Sequence, residues 1–289
     1  MYATRFYDQV ARLIDDGLGG KVAPLVAGNL YALKSDPESW PDARETFRNH
    51  PLCSKLLLDP YCAHSARRPR GYAGDADLID MIYTRRPPAG GTPAGLDLFA
   101  TSIEFQASEG VRKRRDFAES ELLKAHKAGK RILSLACGHF REGTLLIGQD
   151  LGNITVVDQD QLSLDVVRAD HGHRLNCVEA NVIRFLKSAA LRGEQWDYIY
   201  TLGLTDYFDE RAMALFHKLL KPCLAPDGHI LLANFVPDHL AVGWMDAVMD
   251  WQLICRTEQD LENHARAVGF TPRTWRDETD SIAYCEMKF

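Results

Sequence analysis

The chain has 289 residues, 46% of them hydrophobic and 26% charged, enough to bury a sizeable core and incompatible with wholesale disorder. A formal charge of −6 argues against a nucleic-acid binder held by overall charge. Seven cysteines without a CxxC pair, a charged N-terminal stretch with no apolar signal core and no apolar run near the ~18 residues of a membrane span give the expectation of a cytoplasmic, globular protein with reduced thiols.

Residues 1 to about 128 read as helix after helix. Phe6, Val10, Leu13 and Ile14 share one face of a first helix, which Gly17, Gly19 and Gly20 are expected to stop. Helical stretches follow at 22–34, 38–49 and 51–58, the second opened by Pro37 and Glu38. Ser65 to Asp75 is loop-like, rich in Gly, Pro and Arg, and a short amphipathic helix with Leu78, Ile79 and Ile82 comes after it. Residues 86–95 hold too many breakers to be anything but a second loop, and 96–128 reads as one long helix or two in series.

At Lys130 the texture changes. Arg131 to Ala136 is a short, mostly apolar run between charge and glycine, the pattern of a buried parallel strand. Further strands are expected at 153–157, 174–178, 196–202 and 228–235. Helices are expected between and after them, at 141–149, 160–170, 181–192, 208–222 and 238–250. That alternation implies crossover units and a parallel sheet covered on both faces. After a helix at 257–268, the runs 270–275 and 282–289 are joined by the short polar link RDETDS, which forces an antiparallel pair. The expectation is an α/β fold: a helical domain over 1–128, then a seven-stranded domain over 129–289 with a terminal hairpin.

The most informative stretch runs from Ile132 to Gly143, a strand, a turn with Gly138 and a helix. At the C-terminal end of the first strand of an open parallel sheet, a glycine lets backbone approach a ligand closely. The dinucleotide pattern GxGxxG is not met, because position 136 is Ala and position 140 is Phe. Asp158, twenty residues after Gly138, closes the second strand, where a carboxylate can accept both hydroxyls of a ribose.

This arrangement resembles the class I S-adenosylmethionine-dependent methyltransferases over about 130–289. Their Rossmann-like sheet ends in a reversed hairpin, their first loop is a glycine-containing variant, and an acid closes strand two. The resemblance implies S-adenosyl-L-methionine as cofactor. Ala136, Cys137 and Gly138 would line its methionine and ribose part, Asp158 would hold the ribose diol, and Gln159 would lie near the adenine. Asn181 and Val182, after strand three, would meet the adenine edge, and Thr201, Leu202 and Gly203, after strand four, would lie under the sulfonium. The chain departs from the family at Phe140, where a second glycine is usual, and has no acid just before Cys137.

Strand four lacks the N/D-P-P-Y/F signature of methyltransferases acting on exocyclic amines, which with the acidic balance points away from a nucleic-acid acceptor. Five arginines lie between 67 and 86. They read either as a solvated loop paired to Asp75, Asp77 and Asp80, or as a lid in which Gly71 and Gly74 flank Tyr72, Tyr72 closes on the cofactor and an arginine takes a carboxylate in bidentate fashion. The string RGYAGD, followed by LIDMIY, resembles a bacterial group of methyltransferases with helical N-terminal extensions. That group includes enzymes forming methyl esters of hydroxy fatty acids, and the likeness would extend over about 60–289, including Asp250, Trp251 and Arg256. The implied acceptor is a small, anionic, carboxylate-bearing molecule, with no nucleic acid and no membrane as partner.

A carboxylate acceptor is already ionised at neutral pH and needs no general base; a hydroxyl or amine needs one, for which His64, His139 and Asp206 are the candidates. His139 could instead cap the next helix. His171 and His173 resemble a metal clip but fall short of the three or four ligands zinc wants, so no metal is expected. Trp244 and Trp251 are expected near the C-terminal ends of the sheet, as pocket walls or core. The catalytic candidates are Tyr72, Arg70 and His139. The alternatives are a protein or RNA methyltransferase, a nucleotide-dependent dehydrogenase, and a non-catalytic interaction protein that retains the fold.

Overall fold

Residues 2–289 are described in a computed structural model and fall into two compact units. The helical unit runs to Arg112 and resumes over Asp238–Leu253; the sheet unit comprises Lys113–Pro237 and Ile254–Phe289. The sequence places a boundary at 128, whereas the units part inside the helix that ends at Lys127. No helix among the described residues is long and apolar enough to cross a membrane.

The helical unit contains α1 (Tyr2–Asp15), α2 (Gly19–Lys34), α3 (Trp40–Arg48), α4 (Pro51–Leu56), α5 (Pro60–Arg67), α6 (Ala76–Thr84), α7 (Pro93–Ser102) and the start of α8 (Gln106–Lys127). Three of these begin with proline directly after a capping side chain, where its missing N–H costs nothing. His50, Asp59 and Thr92 accept from the amides of Leu52, Tyr61 and Gly95 at 3.1, 2.9 and 3.1 Å. Two sequence expectations are corrected. Gly17 ends α1, but Gly19 and Gly20 open α2, because they lie against Asp97 of α7, whose carboxylate accepts the Gly20 N–H at 2.8 Å. Ser65, Ala66 and Arg67 belong to α5, which the Asp59 cap starts, and the loop begins only at Arg68 with a left-handed φ of 51°.

The segment 238–253 joins this unit through charge. Asp246 accepts from Arg44 Nε at 2.7 Å and Trp40 Nε1 at 2.8 Å and pairs with Lys34, and Asp250 accepts from Arg44 at 2.6 Å and Arg68 at 2.8 Å.

The sheet unit follows the expected alternation. Its elements are β1 (Ile132–Leu135), β2 (Leu151–Asp158), α9 (Gln161–His171), β3 (Leu175–Glu179), α10 (Val182–Leu191), β4 (Trp196–Thr201), α11 (Glu210–Cys223) and β5 (Leu224–Phe235). After α12 (Val242–Ala247), on the helical side, come α13 (Glu258–Ala267), β6 (Thr271–Arg276) and β7 (Ile282–Lys288). The strand order is β3-β2-β1-β4-β5-β7-β6, with the first five parallel and β7 antiparallel to both neighbours: a Rossmann-like seven-stranded sheet ending in a reversed hairpin. Leu133, Leu135, Ile199 and Leu232 from the strands pack with Phe185, Leu186, Phe216, Leu220 and Leu261 from α10, α11 and α13. Each such side chain contributes about 1.5–3 kcal/mol by leaving water.

The order reverses at β1. From β1 the chain steps outward through β2 to β3, then returns to the other side for β4. The loops after β1 and β4 therefore diverge, leaving a crevice beyond their C-terminal ends. Two expected helices are corrected. Residues 141–149 form only a 3-10 turn at Arg141–Leu146, and 238–250 is helical only over Val242–Ala247. The first is cut short by the backbone at Phe140 and Gly148, both at positive φ.

Arg256, 2% exposed, clamps the segment after β4 to the end of β5: it donates to Thr205 O at 2.8 Å, to Phe208 O, and to Asn234 Oδ1 at 3.4 Å. Lysine carries the charge but not the planar fork. Arg256→Lys is therefore expected to lower stability by on the order of 3 kcal/mol, measured by urea unfolding. An unchanged midpoint would show that the carbonyls find other donors.

Candidate active site at the ends of β1, β2 and β4

The crevice is floored by the turn after β1. Cys137 N–H donates to Val157 O at 3.2 Å, extending the strand pairing, and the chain then turns through left-handed backbone at Ala136 (φ 55°) and Gly138 (φ 51°). That turn aims the Gly138 N–H at Asp158 Oδ2, 2.8 Å away, while Asp160 N–H donates to Asp158 Oδ1 at 2.9 Å. Asp158 is only 7% exposed, and burial raises its carboxyl above the ordinary value despite the two amide donors. Each carboxylate oxygen carries a further lone pair, so the group can still accept two hydroxyls. Burial, then the nearby Asp158 and Glu142 carboxylates, push the Cys137 thiol well up, which leaves it a neutral wall of the turn.

Phe140 occupies the place of the second family glycine and adopts a glycine-like φ of 52°. Its ring is 1% exposed and stands edge-on to His171 at 5.5 Å. A Cβ at Gly143 would lie 2.2 Å from that ring, so the glycine has moved three residues on, to the point where the aromatic needs room. His139 is buried and does not cap the following turn, whose N-cap is Phe140 without a side-chain bond. His171 is buried against Phe140, whereas His173 is exposed.

The structure brings several of the other expected residues to the same ends of the strands. Gln159 follows Asp158 and is exposed. Asn181 caps α10, its Oδ1 accepting from Ile183 and Arg184 amides at 3.1 and 3.4 Å, and Val182 behind it is buried. Thr201 ends β4 with a buried hydroxyl that has no hydrogen-bond partner among the described residues; Leu202 is half-buried and Gly203 exposed.

Tyr72 and Arg70 belong to the helical unit. Arg70 is bidentate to Asp77, at 2.8 and 2.7 Å, the kind of pairing the plain loop reading expects of these arginines. Gly71 uses a positive φ of 89°, whereas Gly74 does not; the second left-handed residue is Arg68. His64 Nε2 lies 2.8 and 2.9 Å from the two oxygens of Asp75, which also caps α6 through Leu78 N–H. With Asp77 these two form a group close enough to hold a metal ion, yet each carboxylate is already engaged within the loop. Trp244 and Trp251 are also in the helical unit and buried, Trp244 edge-on against Phe105 at 5.3 Å.

Two residues, Glu142 and Arg114, escape the sequence reading, and a third, the candidate base Asp206, lies in the same unit. Glu142 is buried and accepts the Tyr200 hydroxyl at 2.8 Å, its carboxyl raised by burial. Arg114 is 6% exposed, beside Gly203 and Phe235. No signal in the string around 114 marks it as buried. Asp206 accepts the Phe235 N–H at 2.8 Å, and burial pushes its carboxyl up to about 6.

No family model matches the chain, and no curated protein matches it. Among solved structures, a protein of Bordetella parapertussis described as a possible exported protein is similar with a TM-score of 0.60, at 16% identity over 90% of this chain and 94% of that one. Magnesium protoporphyrin IX methyltransferase from Synechocystis PCC 6803, with bound SAM, is similar at 12% identity over 63% and 84% of the chains, with a TM-score of 0.45. 1,6-Didemethyltoxoflavin-N1-methyltransferase from Burkholderia thailandensis is similar at 20% identity over 60% and 77%, also with a TM-score of 0.45. At these identities the likeness concerns the fold alone.

Two tests follow from the geometry. Gly143→Ala drives a methyl into the Phe140 ring and is expected to cost at least about 1–3 kcal/mol, whereas in a Phe140→Ala background the same change costs much less. Equal costs in both backgrounds, by urea unfolding, would place the strain elsewhere. The raised Asp206 carboxyl means that the native state binds more protons than the unfolded chain between pH about 4 and about 6. Its contribution to stability therefore falls as pH rises through that window. Relative to Asp206→Asn, the wild type is expected to lose on the order of 2–3 kcal/mol between pH 4 and pH 7. A difference independent of pH would mean that Asp206 titrates ordinarily.

Proposed function

We propose that this chain is an S-adenosylmethionine-dependent methyltransferase that O-methylates a small, carboxylate-bearing metabolite. The observation that carries the reading is the Asp158 carboxylate, buried at the end of β2 and bound to the Gly138 N–H at the turn after β1. The donor set fits the cofactor: a two-oxygen acceptor for the ribose diol, left-handed backbone at Ala136 and Gly138 that allows close approach, and an unpartnered buried hydroxyl at Thr201. When bound, the cofactor supplies an electrophilic methyl on a sulfonium; the protein supplies placement and field.

In this reading Ala136, Cys137 and Gly138 flank the methionine and ribose part, Asp158 holds the diol, and Gln159, Asn181 and Val182 border the adenine. Thr201, Leu202 and Gly203 form the floor under the sulfur. The chain's main task is alignment, since holding donor and acceptor about 3 Å apart and in line supplies much of the acceleration. A carboxylate acceptor suits the residues present. Asp206, the acid among the candidate bases, is tied to β5 through the Phe235 N–H, and a carboxylate needs no base. The likeness of the 70–83 stretch to hydroxy-fatty-acid carboxyl methyltransferases supports the same acceptor class. Tyr72 and Arg70 remain candidates on the helical unit for the acceptor side, with Arg70 held in place by Asp77, and His139 for any acceptor that needs a base. Seven cysteines with free thiols support a reducing, cytoplasmic setting.

Calorimetric titration of S-adenosylhomocysteine is expected to show binding to the wild type and at least about tenfold weaker binding to Asp158→Ala, with melting temperatures measured alongside. Undiminished affinity in the variant refutes the ribose contact. With labelled cofactor in a cell lysate, the methyl is expected in the small-molecule fraction as a base-labile ester; label in protein or RNA would replace the proposed acceptor with a macromolecule.

A further inference from the structure

Three arginines of this chain are nearly sealed from water, and two of them have their charge answered by hydrogen bonds. Arg112, 5% exposed, donates to Ile82 O at 3.2 Å, Ile103 O at 3.0 Å, Glu104 at 3.0 Å and Glu109 at 2.7 Å. Arg256 donates from both terminal nitrogens to carbonyls, although its buried Nε has no partner among the described residues. Arg114 differs. It is 6% exposed, and its buried Nη1 finds no hydrogen-bond partner among the described residues. Leaving a buried, charged donor unsatisfied is costly, and proteins rarely tolerate it without a use.

The direction of the group is informative. A Cβ built on Gly203 would lie 3.5 Å from Arg114 Nη2 and 3.7 Å from Nη1, but 3.9 Å from Cζ, so the open end of the fork faces the exposed backbone just past β4. Phe235, at the end of β5, lies with its ring 6.0 Å from the guanidinium. Two acids that feel its charge, Glu142 and Asp206, make no hydrogen bond to the fork. Glu142 is occupied by the Tyr200 hydroxyl and Asp206 by the Phe235 amide, and burial biases both toward the neutral form. At the end of β4, the buried Thr201 hydroxyl is also unpartnered among the described residues. A planar fork with free donors, walled by an aromatic ring and bordered by a glycine, has the shape that takes a carboxylate in bidentate fashion.

We propose that Arg114 is the carboxylate seat of the crevice, receiving a ligand carboxylate over Gly203 at the end of β4. The proposal rests on the cofactor reading above. Two ligands could bring that carboxylate: the amino-acid end of the cofactor or the methyl acceptor. In either case a carboxylate on the guanidinium would offset the repulsion between Arg114 and the positive charge the cofactor brings.

The test uses calorimetry on the full chain with S-adenosylhomocysteine and with 5′-methylthioadenosine, which lacks the amino-acid end. Arg114→Met keeps length and removes the charge. If the cofactor supplies the carboxylate, the variant binds S-adenosylhomocysteine about 10- to 100-fold more weakly, while methylthioadenosine changes less than about twofold. If the acceptor supplies it, both affinities hold, and wild type saturated with S-adenosylhomocysteine is stabilised more by octanoate than by octanamide, a margin the variant loses. Equal affinities with no such margin, or equal loss for both nucleosides, overturns the proposal. Should the variant not fold, the wild type decides: decarboxylated S-adenosylhomocysteine binding as tightly as the parent, with no octanoate margin, overturns it too. A wild type that binds no S-adenosylhomocysteine sinks the cofactor reading instead.

Discussion

The hydrogen bond from Gly138 N–H to Asp158 is the contact on which the rest of the candidate site depends. It joins the turn after β1 to the end of β2, so the floor and the acidic wall of the crevice move as one piece. The bond forms only because the backbone at Ala136 and Gly138 is left-handed, which swings the amide outward from the strand. It does not use up the carboxylate. With Asp160 N–H as second donor, each oxygen is oriented by one amide and retains capacity for another partner. Preorganisation of this kind lowers the ordering cost that a ligand would otherwise meet on binding.

Much of this was legible in the sequence because it is written in local pattern. Short apolar runs such as Ile132 to Leu135 admit only buried strands, and the link between Arg276 and Ile282 is too short for anything but an antiparallel return. Asp158 could be singled out because its distance from Gly138 reflects one strand-turn-strand step. Arg114 could not. It sits in the string VRKRRDFAESE, which reads as a solvated helical face, and neither charge nor periodicity separates it from its neighbours. Arg112 is buried by carbonyls of the helical unit and Arg114 by the ends of β4 and β5. Contacts between residues far apart in the chain assign these fates. The same holds for Ser65 to Arg67, whose helix is set by an Asp59 cap that a Gly- and Arg-rich reading of the following loop obscured.

Buried charge is distributed unevenly between the two units. In the helical unit several charges are matched: Asp246 and Asp250 collect Lys34, Arg44 and Arg68, and Arg112 collects two carbonyls and two carboxylates. Such matched sets fix the arrangement of elements more than they add net stability, because desolvation offsets much of the attraction. Unpartnered buried polar atoms occur in both units, Asn29 Oδ1 and Ser65 Oγ in the helical one, but in the sheet unit some of them share an end of the sheet with perturbed acids. Thr201 Oγ1 and Arg114 Nη1 lack partners, and Asp158, Glu142 and Asp206 are all raised by burial, at the C-terminal ends of the parallel strands. Perturbed acids and orphaned donors gathered at one end of a sheet mark the place where a protein has been shaped for a ligand rather than for itself.

Phe140 decides between the two nucleotide readings of the first loop. A dinucleotide fold needs glycine there so that backbone can approach the pyrophosphate, and it needs the N-terminus of a full α-helix behind the loop. This chain has an aromatic residue held at φ 52°, its ring packed on His171 and made possible by Gly143, followed by a 3-10 turn of six residues. A left-handed phenylalanine costs roughly 1–2 kcal/mol, which the burial of its ring more than offsets. The loop offers one close-approach glycine beside one carboxylate. A ligand carrying a single ribose and no phosphate asks for that much, whereas a dinucleotide asks for a cradle this turn does not build.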